Sequence, residues 1–195
     1  VLEDAICDEA LREEKKLSAK IEMLLKEQNK HEVWGYFVDV WLQKLKPFMQ
    51  NEIARYEEGF RVFKKEFSHR VPYGDFMLEG QIDRIDQKGD ELFVIDYKSG
   101  KVPATSERSI ESTTDFQLVF YELIASTLGK VGGVYYYDLK EGVLVPENFL
   151  EEKKALLHVK LQELSKPING YELCEEIKHC KLCPYVSLCG REEQV

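Results

Sequence analysis

Apolar positions change period twice along this chain, and each change marks a set of elements. Over residues 2–28, Leu2, Ile6, Ala10, Leu17, Ile21, Leu24 and Leu25 recur at loose helical spacing. Val33, Phe37, Val40, Trp41 and Leu45 predict a second helix over 32–46, which Pro47 ends or kinks. A third is expected over 48–59, with Gly59 as its stop. The pattern then turns to alternation around Phe63, Lys65 and Phe67, predicting strands over 60–71, 76–86, 92–98 and 131–139. A helix over 114–128 buries Phe116, Val119, Phe120, Leu123 and Ile124; others are expected over 149–164 and, briefly, 171–177. Helices, three strands, helix, strand, helix is the order of an α/β domain with a meander at its centre.

The second and third strands carry the candidate chemistry. Gly80-Gln81-Ile82-Asp83-Arg84-Ile85-Asp86 passes through a polar Lys-Gly-Asp turn into Leu92-Phe93-Val94-Ile95-Asp96-Tyr97-Lys98-Ser99-Gly100-Lys101, which predicts a hairpin. Side chains at i and i+2 share a strand face, so Asp96 and Lys98 point one way while Phe93, Ile95 and Tyr97 point the other. Leu92 and Val94 share the Asp96 face, and charges in such apolar company are costly unless something needs them. Asp83, Asp96 and Lys98 together suggest a divalent-metal site with a cationic helper. The plainer alternative is a sheet edge with solvated charges.

Composition narrows the class. The 195 residues are 44% hydrophobic and 32% charged, which suits one medium soluble domain. No apolar run approaches membrane-spanning length and no secretory signal pattern is present. The opening on Val1 rather than Met reads as a fragment of something longer, or as processing. Five cysteines, three of them crowded near the end, argue against a disulfide framework and for a metal or cluster site in a reducing, cytoplasmic setting. A formal net charge of −9 sits awkwardly with DNA, whose binders gain affinity by neutralising phosphates. A DNA partner then requires a local basic patch, a bound divalent ion, or basic surface elsewhere in a larger protein.

Four motifs in order carry a resemblance. Gly80-Gln81-Ile82-Asp83-Arg84-Ile85-Asp86, then Ile95-Asp96-Tyr97-Lys98-Ser99-Gly100, Gln117-x3-Tyr121 and Cys180-x2-Cys183-x5-Cys189 resemble the nuclease domain of the RecB/AddB exonuclease family. That family lies within the PD-(D/E)xK superfamily, whose fold is restriction-endonuclease-like. The resemblance implies an α/β fold with a central mixed β-sheet flanked by helices. It also implies one nuclease domain over 1–195, with a helical part (1–59), a catalytic core (60–140) and C-terminal helices with the cysteines (141–195), in a larger helicase–nuclease protein. Asp83 and Asp96 then match the metal-binding carboxylates, Tyr97 contributes its carbonyl and Lys98 matches the motif lysine. Gln117 and Tyr121 match the helix motif beside the active site. The ion implied is Mg²⁺ or Mn²⁺, which favours hard oxygen ligands. The implied activity is a metal-dependent DNA exonuclease working with a helicase partner in double-strand-break repair. The alternative is a catalytically inactive nuclease fold that binds or guides a strand.

Two places depart from that pattern or leave it open. The family usually shows Gly-x3-His in an early helix, its histidine a metal ligand; here Gly35-x3-Asp39 puts Asp39 there. A carboxylate serves Mg²⁺ at least as well as an imidazole, or else the change marks a weakened site. By resemblance, Cys180, Cys183 and Cys189 join a distant N-terminal cysteine around a 4Fe–4S cluster. Cys7 lies in the right direction without the usual Pro and aromatic neighbours, so the true partner can equally lie upstream of Val1. Cys174 offers a second set with the same three cysteines, which zinc can occupy. A buried, unliganded thiol is the preferred reading for Cys174.

Overall fold

A computed structural model describes residues 2–7, 9–28, 34–167, 170 and 173–192. The chain forms two units, Val1–Leu161 and Gln162–Val195. The first is built on β1 (Arg61–Tyr73), β2 (Phe76–Lys88), β3 (Glu91–Lys98), β4 (Lys130–Asp138) and β5 (Val143–Pro146). Their order in the sheet is β1-β2-β3-β4-β5. Only β3 and β4 pair in parallel; the other neighbours are antiparallel. A parallel pair needs a crossover, and the 99–116 loop followed by α5 (Gln117–Ala125) supplies it.

Helices cover both faces, as expected for this α/β class. On one face Leu17 and Ile21 of α2 (Glu14–Gln28), with Phe48 and Met49 of α4 (Lys46–Glu57), pack with Ile95 and Tyr137. On the other, Leu118, Ile124 and Ala125 of α5 pack with Ile82, Ile85, Val94 and Val134. α3 (Trp34–Lys44) precedes α4, and α6 (Leu150–Leu164) follows β5. Among the described residues no helix is long and apolar enough to cross a membrane.

The first expected helix is in fact three pieces: α1 (Leu2–Ala5), a 3-10 turn at Ala10–Arg12, and α2. Glu13 is extended (φ −150°, ψ 133°), and its carbonyl accepts from the N–H groups of Lys16 and Leu17. It therefore starts α2 anew rather than continuing the preceding turn. The short helix expected over 171–177 starts outside the described residues; a 3-10 helix occupies Ile177–Leu182 instead. β5 was not expected at all. It has four residues between Gly142 and a terminal proline, too few to show a period. Gly142 adopts φ +68°, and a Cβ there would sit 2.5 Å from the Pro47 carbonyl carbon, so only glycine lets this turn press on the start of α4.

α4 also clamps β2 and, through Arg84, β3. Glu52 and Arg55 are i,i+3 on one helix face, and Arg84 and Asp86 are i,i+2 on one strand face. Arg84 donates to Glu52 Oε2 (2.6 Å) and with Nε and Nη2 to both Asp86 oxygens (2.6 and 2.7 Å), while Arg55 Nη2 donates to Asp86 (2.8 Å). All four residues are buried, two cations against two anions. Removing any one would leave an uncompensated buried charge, at a cost of about 3–5 kcal/mol. Arg84 Nη1 also donates to the Tyr97 hydroxyl at 3.1 Å, so the network reaches the strand that carries Asp96 and Lys98.

Candidate active site

β2 and β3 pair from Lys88 opposite Glu91 as far as Arg84 opposite Ile95. Beyond that point the Asp83 side chain replaces the backbone acceptor: its Oδ2 takes the Tyr97 N–H at 2.9 Å. In a strand the N–H and C=O of one residue face the same neighbour. The Tyr97 carbonyl therefore turns toward the opening that Asp83 edges. The next carbonyl, that of Lys98, faces the other way and accepts from Leu139 N–H at 3.0 Å.

Asp96 stands on the α5 side of this opening. Its Oδ1 accepts from Gln117 Nε2 at 2.8 Å, and its Oδ2 lies 2.6 Å from Lys98 Nζ. Lys98 Nζ also donates to Gln117 Oε1 at 2.7 Å. Gln117 thus bridges acid and lysine with its two ends, and reversing the amide would turn its NH₂ against the ammonium. Gln117 Nε2 also donates to the Tyr121 hydroxyl at 3.0 Å, one helical turn on. Five of the expected residues, Asp83, Asp96, Lys98, Gln117 and Tyr121, therefore fall in one connected group, and Tyr97 links its two strands.

Further residues, not anticipated from the sequence, support this group. Lys98 Nζ sits 4.9 Å from the Tyr136 ring centroid, a cation–π contact. The Tyr136 hydroxyl donates to Asp115 (2.9 Å), and the buried Lys153 joins Asp115 (3.2 Å) to Glu147 (2.6 Å). Asp115 Oδ1 also faces the Gln117 N–H at 3.4 Å, at the start of α5. An acid just before a helix is a readable start signal. Nothing in the sequence distinguishes Lys153 from the solvated lysines beside it.

The electrostatics favour an added cation. Burial raises the carboxyl of Asp83 above its usual range, Glu66 adds to this, and the Tyr97 N–H and Lys98 oppose it. Burial also raises Asp96, with Asp83 and Asp115 adding and Lys98 opposing. The Tyr121 and Tyr136 phenols are pushed up by burial as well, so both stay protonated. Asp96 Oδ2 is buried, and its contact with Lys98 falls short of hydrogen-bond alignment. Two desolvated acids, with one lysine whose charge bears on both and a backbone carbonyl nearby, suit a hard divalent ion that keeps several waters. Among the described residues no group of three or more His, Cys, Asp or Glu is placed to hold a metal. A Mg²⁺-type site here would accordingly use two carboxylates, the carbonyl and water.

Asp39 is not joined to this group. It lies on α3, where its charge bears on Lys26 of α2. Cys7 is exposed in the first unit, beside Glu9 and Lys16. In the second unit Cys174 is exposed rather than buried, Cys180 is buried, and Cys183 and Cys189 are half-buried. Arg191 bonds the Cys174 carbonyl and lies 3.7 Å from Cys180 Sγ. Among the described residues of the second unit, Cys174, Cys180, Cys183 and Cys189 form no group placed to hold a cluster or a zinc ion.

No curated protein matches this chain. The family model described as the PD-(D/E)XK nuclease superfamily matches residues 2–190. With nearly its whole length matched, the chain belongs to that superfamily, which suggests nuclease activity, implies DNA binding and generally goes with Mg²⁺ or Mn²⁺.

Proposed function

We propose that this chain is a metal-dependent deoxyribonuclease that hydrolyses phosphodiester bonds at the Asp83–Asp96–Lys98 group. The observation that carries the reading is the parting of β2 and β3 beside two desolvated acids, with Lys98 locked to Asp96 through Gln117. Asp83, Asp96 and the Tyr97 carbonyl would hold the ion. When bound, it supplies Lewis acidity at the scissile phosphate and a lowered pKa for water held there. Lys98 points its ammonium at the same opening and can orient the attacking water or meet charge growing on the phosphate oxygens. Gln117 keeps that ammonium from collapsing wholly onto Asp96, and Tyr136 supports it from the side. No step of this reaction uses the cysteines.

The motif order shared with RecB/AddB exonucleases extends the proposal to exonucleolytic action, alongside a helicase, in double-strand-break processing. The competing reading is a strand-binding fold that does not cut. It draws on Asp39 in place of the family histidine and on the net charge of −9. Degradation of linear DNA in Mg²⁺ or Mn²⁺ separates the two. Asp96→Ala should abolish it together with metal binding, whereas Lys98→Ala should keep metal binding and lose turnover, because the group acts as a unit. Asp39→His should leave activity near wild type, since Asp39 is not joined to the acids. A folded wild type that binds DNA and never cleaves it with either ion would sink the enzyme.

A further inference from the structure

We infer that Asp115 is a positioning residue for cleavage, holding the Lys98 ammonium in place through Tyr136 and Gln117; the inference rests on the nuclease reading above. Lysine carries its charge on a flexible four-carbon stem. A misplacement of about 1 Å at a reacting centre can cost on the order of 10²-fold in rate. Three groups hold Lys98 Nζ: Asp96 Oδ2 at 2.6 Å, Gln117 Oε1 at 2.7 Å and the Tyr136 ring, whose centroid is 4.9 Å away. Asp96 belongs to the metal group, so the other two decide how far the ammonium stands off from it. Asp115 touches both. The Tyr136 hydroxyl donates to its two oxygens at 2.9 and 3.1 Å, and the Gln117 N–H faces Oδ1 at 3.4 Å.

Register and burial keep these contacts in one geometry. Tyr136 stands beside Asp96 in the β3–β4 register and is only 2% exposed, so packing fixes its ring. Anchoring the hydroxyl at Asp115 sets the angle at which that ring faces Lys98. A phenol that donates to a carboxylate also gains electron density, which strengthens the pull of its face on a cation. A third acid so near Asp96 is unfavourable, since its charge adds to that of Asp83. Lys153 offsets it from α6: its side chain is 1% exposed and its Nζ lies 3.2 Å from Asp115 Oδ2 and 2.6 Å from Glu147 Oε2. Glu147, at the shorter distance, already neutralises Lys153, so satisfying that lysine does not require Asp115. The other bonds of the Asp115 carboxylate, to Tyr136 and Gln117, both end on groups that hold Lys98.

The test follows the ammonium and the rate together. In protein carrying ¹³C-labelled lysine, Lys98→Arg identifies the Lys98 methylene signal beside the ammonium, which the Tyr136 ring should shift upfield. Asp115→Ala should move that signal toward those of solvent-exposed lysines and lower single-turnover cleavage of linear DNA about 10- to 100-fold. The KM for DNA and the Mg²⁺ affinity by isothermal titration should stay near wild type. Asp115→Asn keeps an oxygen for both donors and should restore most of the rate and the signal. If Asp115→Ala does not fold, Tyr136→Phe gives the same reading, because it keeps the ring and removes only the bond to Asp115; signal and rate should change in the same direction by less. A Lys98 signal that stays in place would overturn the inference, and so would a moved signal with an unchanged rate. Equal losses of Mg²⁺ affinity and rate would also overturn it, since Asp115 would then act through Asp96. Cleavage with a fixed Lys98 signal removes the inference and leaves the nuclease. A moved signal in a chain whose wild type never cuts in Mg²⁺ or Mn²⁺ removes the nuclease and leaves the hold of Asp115 on Lys98.

Discussion

Asp83 accepts the backbone N–H of Tyr97 at 2.9 Å, tying the acid on β2 to the residue that follows the acid on β3. The bond uses a charged side chain where a sheet would ordinarily use a carbonyl. Its two consequences pull apart in mutants. Asp83→Asn keeps an oxygen for Tyr97 and removes a desolvated charge; Asp83→Ala leaves the N–H without its partner, at about 1–3 kcal/mol. Metal-free Asp83→Asn should therefore melt at or above wild type, and Asp83→Ala below Asp83→Asn. Both should lose the rise in Tm that Mg²⁺ gives wild type. Equal melting of the two variants would show that the hydrogen bond contributes nothing.

The raised carboxyls of Asp83 and Asp96 fix the sign of a pH effect. Between the unfolded value of 3.8 and the raised folded values, the native state binds more protons than the unfolded state. Stability contributed by these groups is therefore present at low pH and is lost as pH rises through that window. Other carboxylates titrate in the same range, so the useful quantity is a difference. The stability of Asp96→Asn relative to wild type, by urea unfolding without metal, should grow as pH rises from roughly 4 to 7. Saturating Mg²⁺ should reverse the order at neutral pH, because only wild type binds it. A difference that is flat with pH would mean that the acids are not desolvated as the structure has them.

The same acids show what a sequence can and cannot reveal. Asp83, Asp96 and Lys98 were legible because strand period two places Asp96 and Lys98 on one face, and the hairpin turn brings Asp83 alongside. Arg84 and Asp86 sit in the same motif and look like solvated charges. They prove buried because Glu52 and Arg55 meet them from a helix about thirty residues earlier, a pairing that no local pattern encodes. Lys153 is hidden for the same reason, its partners lying in a loop and a turn. The break at Glu13 and the four-residue β5 were missed because each is decided by packing rather than by period.

Gln117 touches Asp96, Lys98 and Tyr121 at once, which separates holding a lysine from holding a metal. Gln117→Ala frees the Lys98 ammonium and leaves both carboxylates in place. Turnover should fall about 10- to 100-fold, the range for a residue that orients a neighbouring ligand, while Mg²⁺ affinity changes much less. Gln117→Glu puts a third carboxylate against Asp96 and should raise its pKa further, moving the acid limb of the pH–rate profile to higher pH. Isothermal titration with Mg²⁺, beside single-turnover cleavage, checks both. If Gln117→Ala lost metal affinity and turnover in equal measure, Gln117 would be acting through Asp96 rather than Lys98.

Gly80 sets the distance between β2 and α5. A Cβ at this position would lie 3.0 Å from Ile124 Cδ1 and 3.2 Å from Tyr121 Cε1, closer than side chains normally approach. Gly80→Ala therefore pushes on the helix face that presents Tyr121 and, one turn earlier, Gln117. Overpacking of this size typically costs about 1–3 kcal/mol, and turnover should drop with it because Gln117 carries the Lys98 contact. Since the nearer obstacle is one methyl of Ile124, Ile124→Val should make room and restore much of the activity to the Gly80→Ala background. The same Ile124→Val change alone creates a small void and should cost about 0.5–1.5 kcal/mol. Thermal melts and cleavage rates of both single variants and the double variant complete the cycle. If the double variant is no better than the sum of its parts, the close approach at Gly80 is not what seats α5 over the active site.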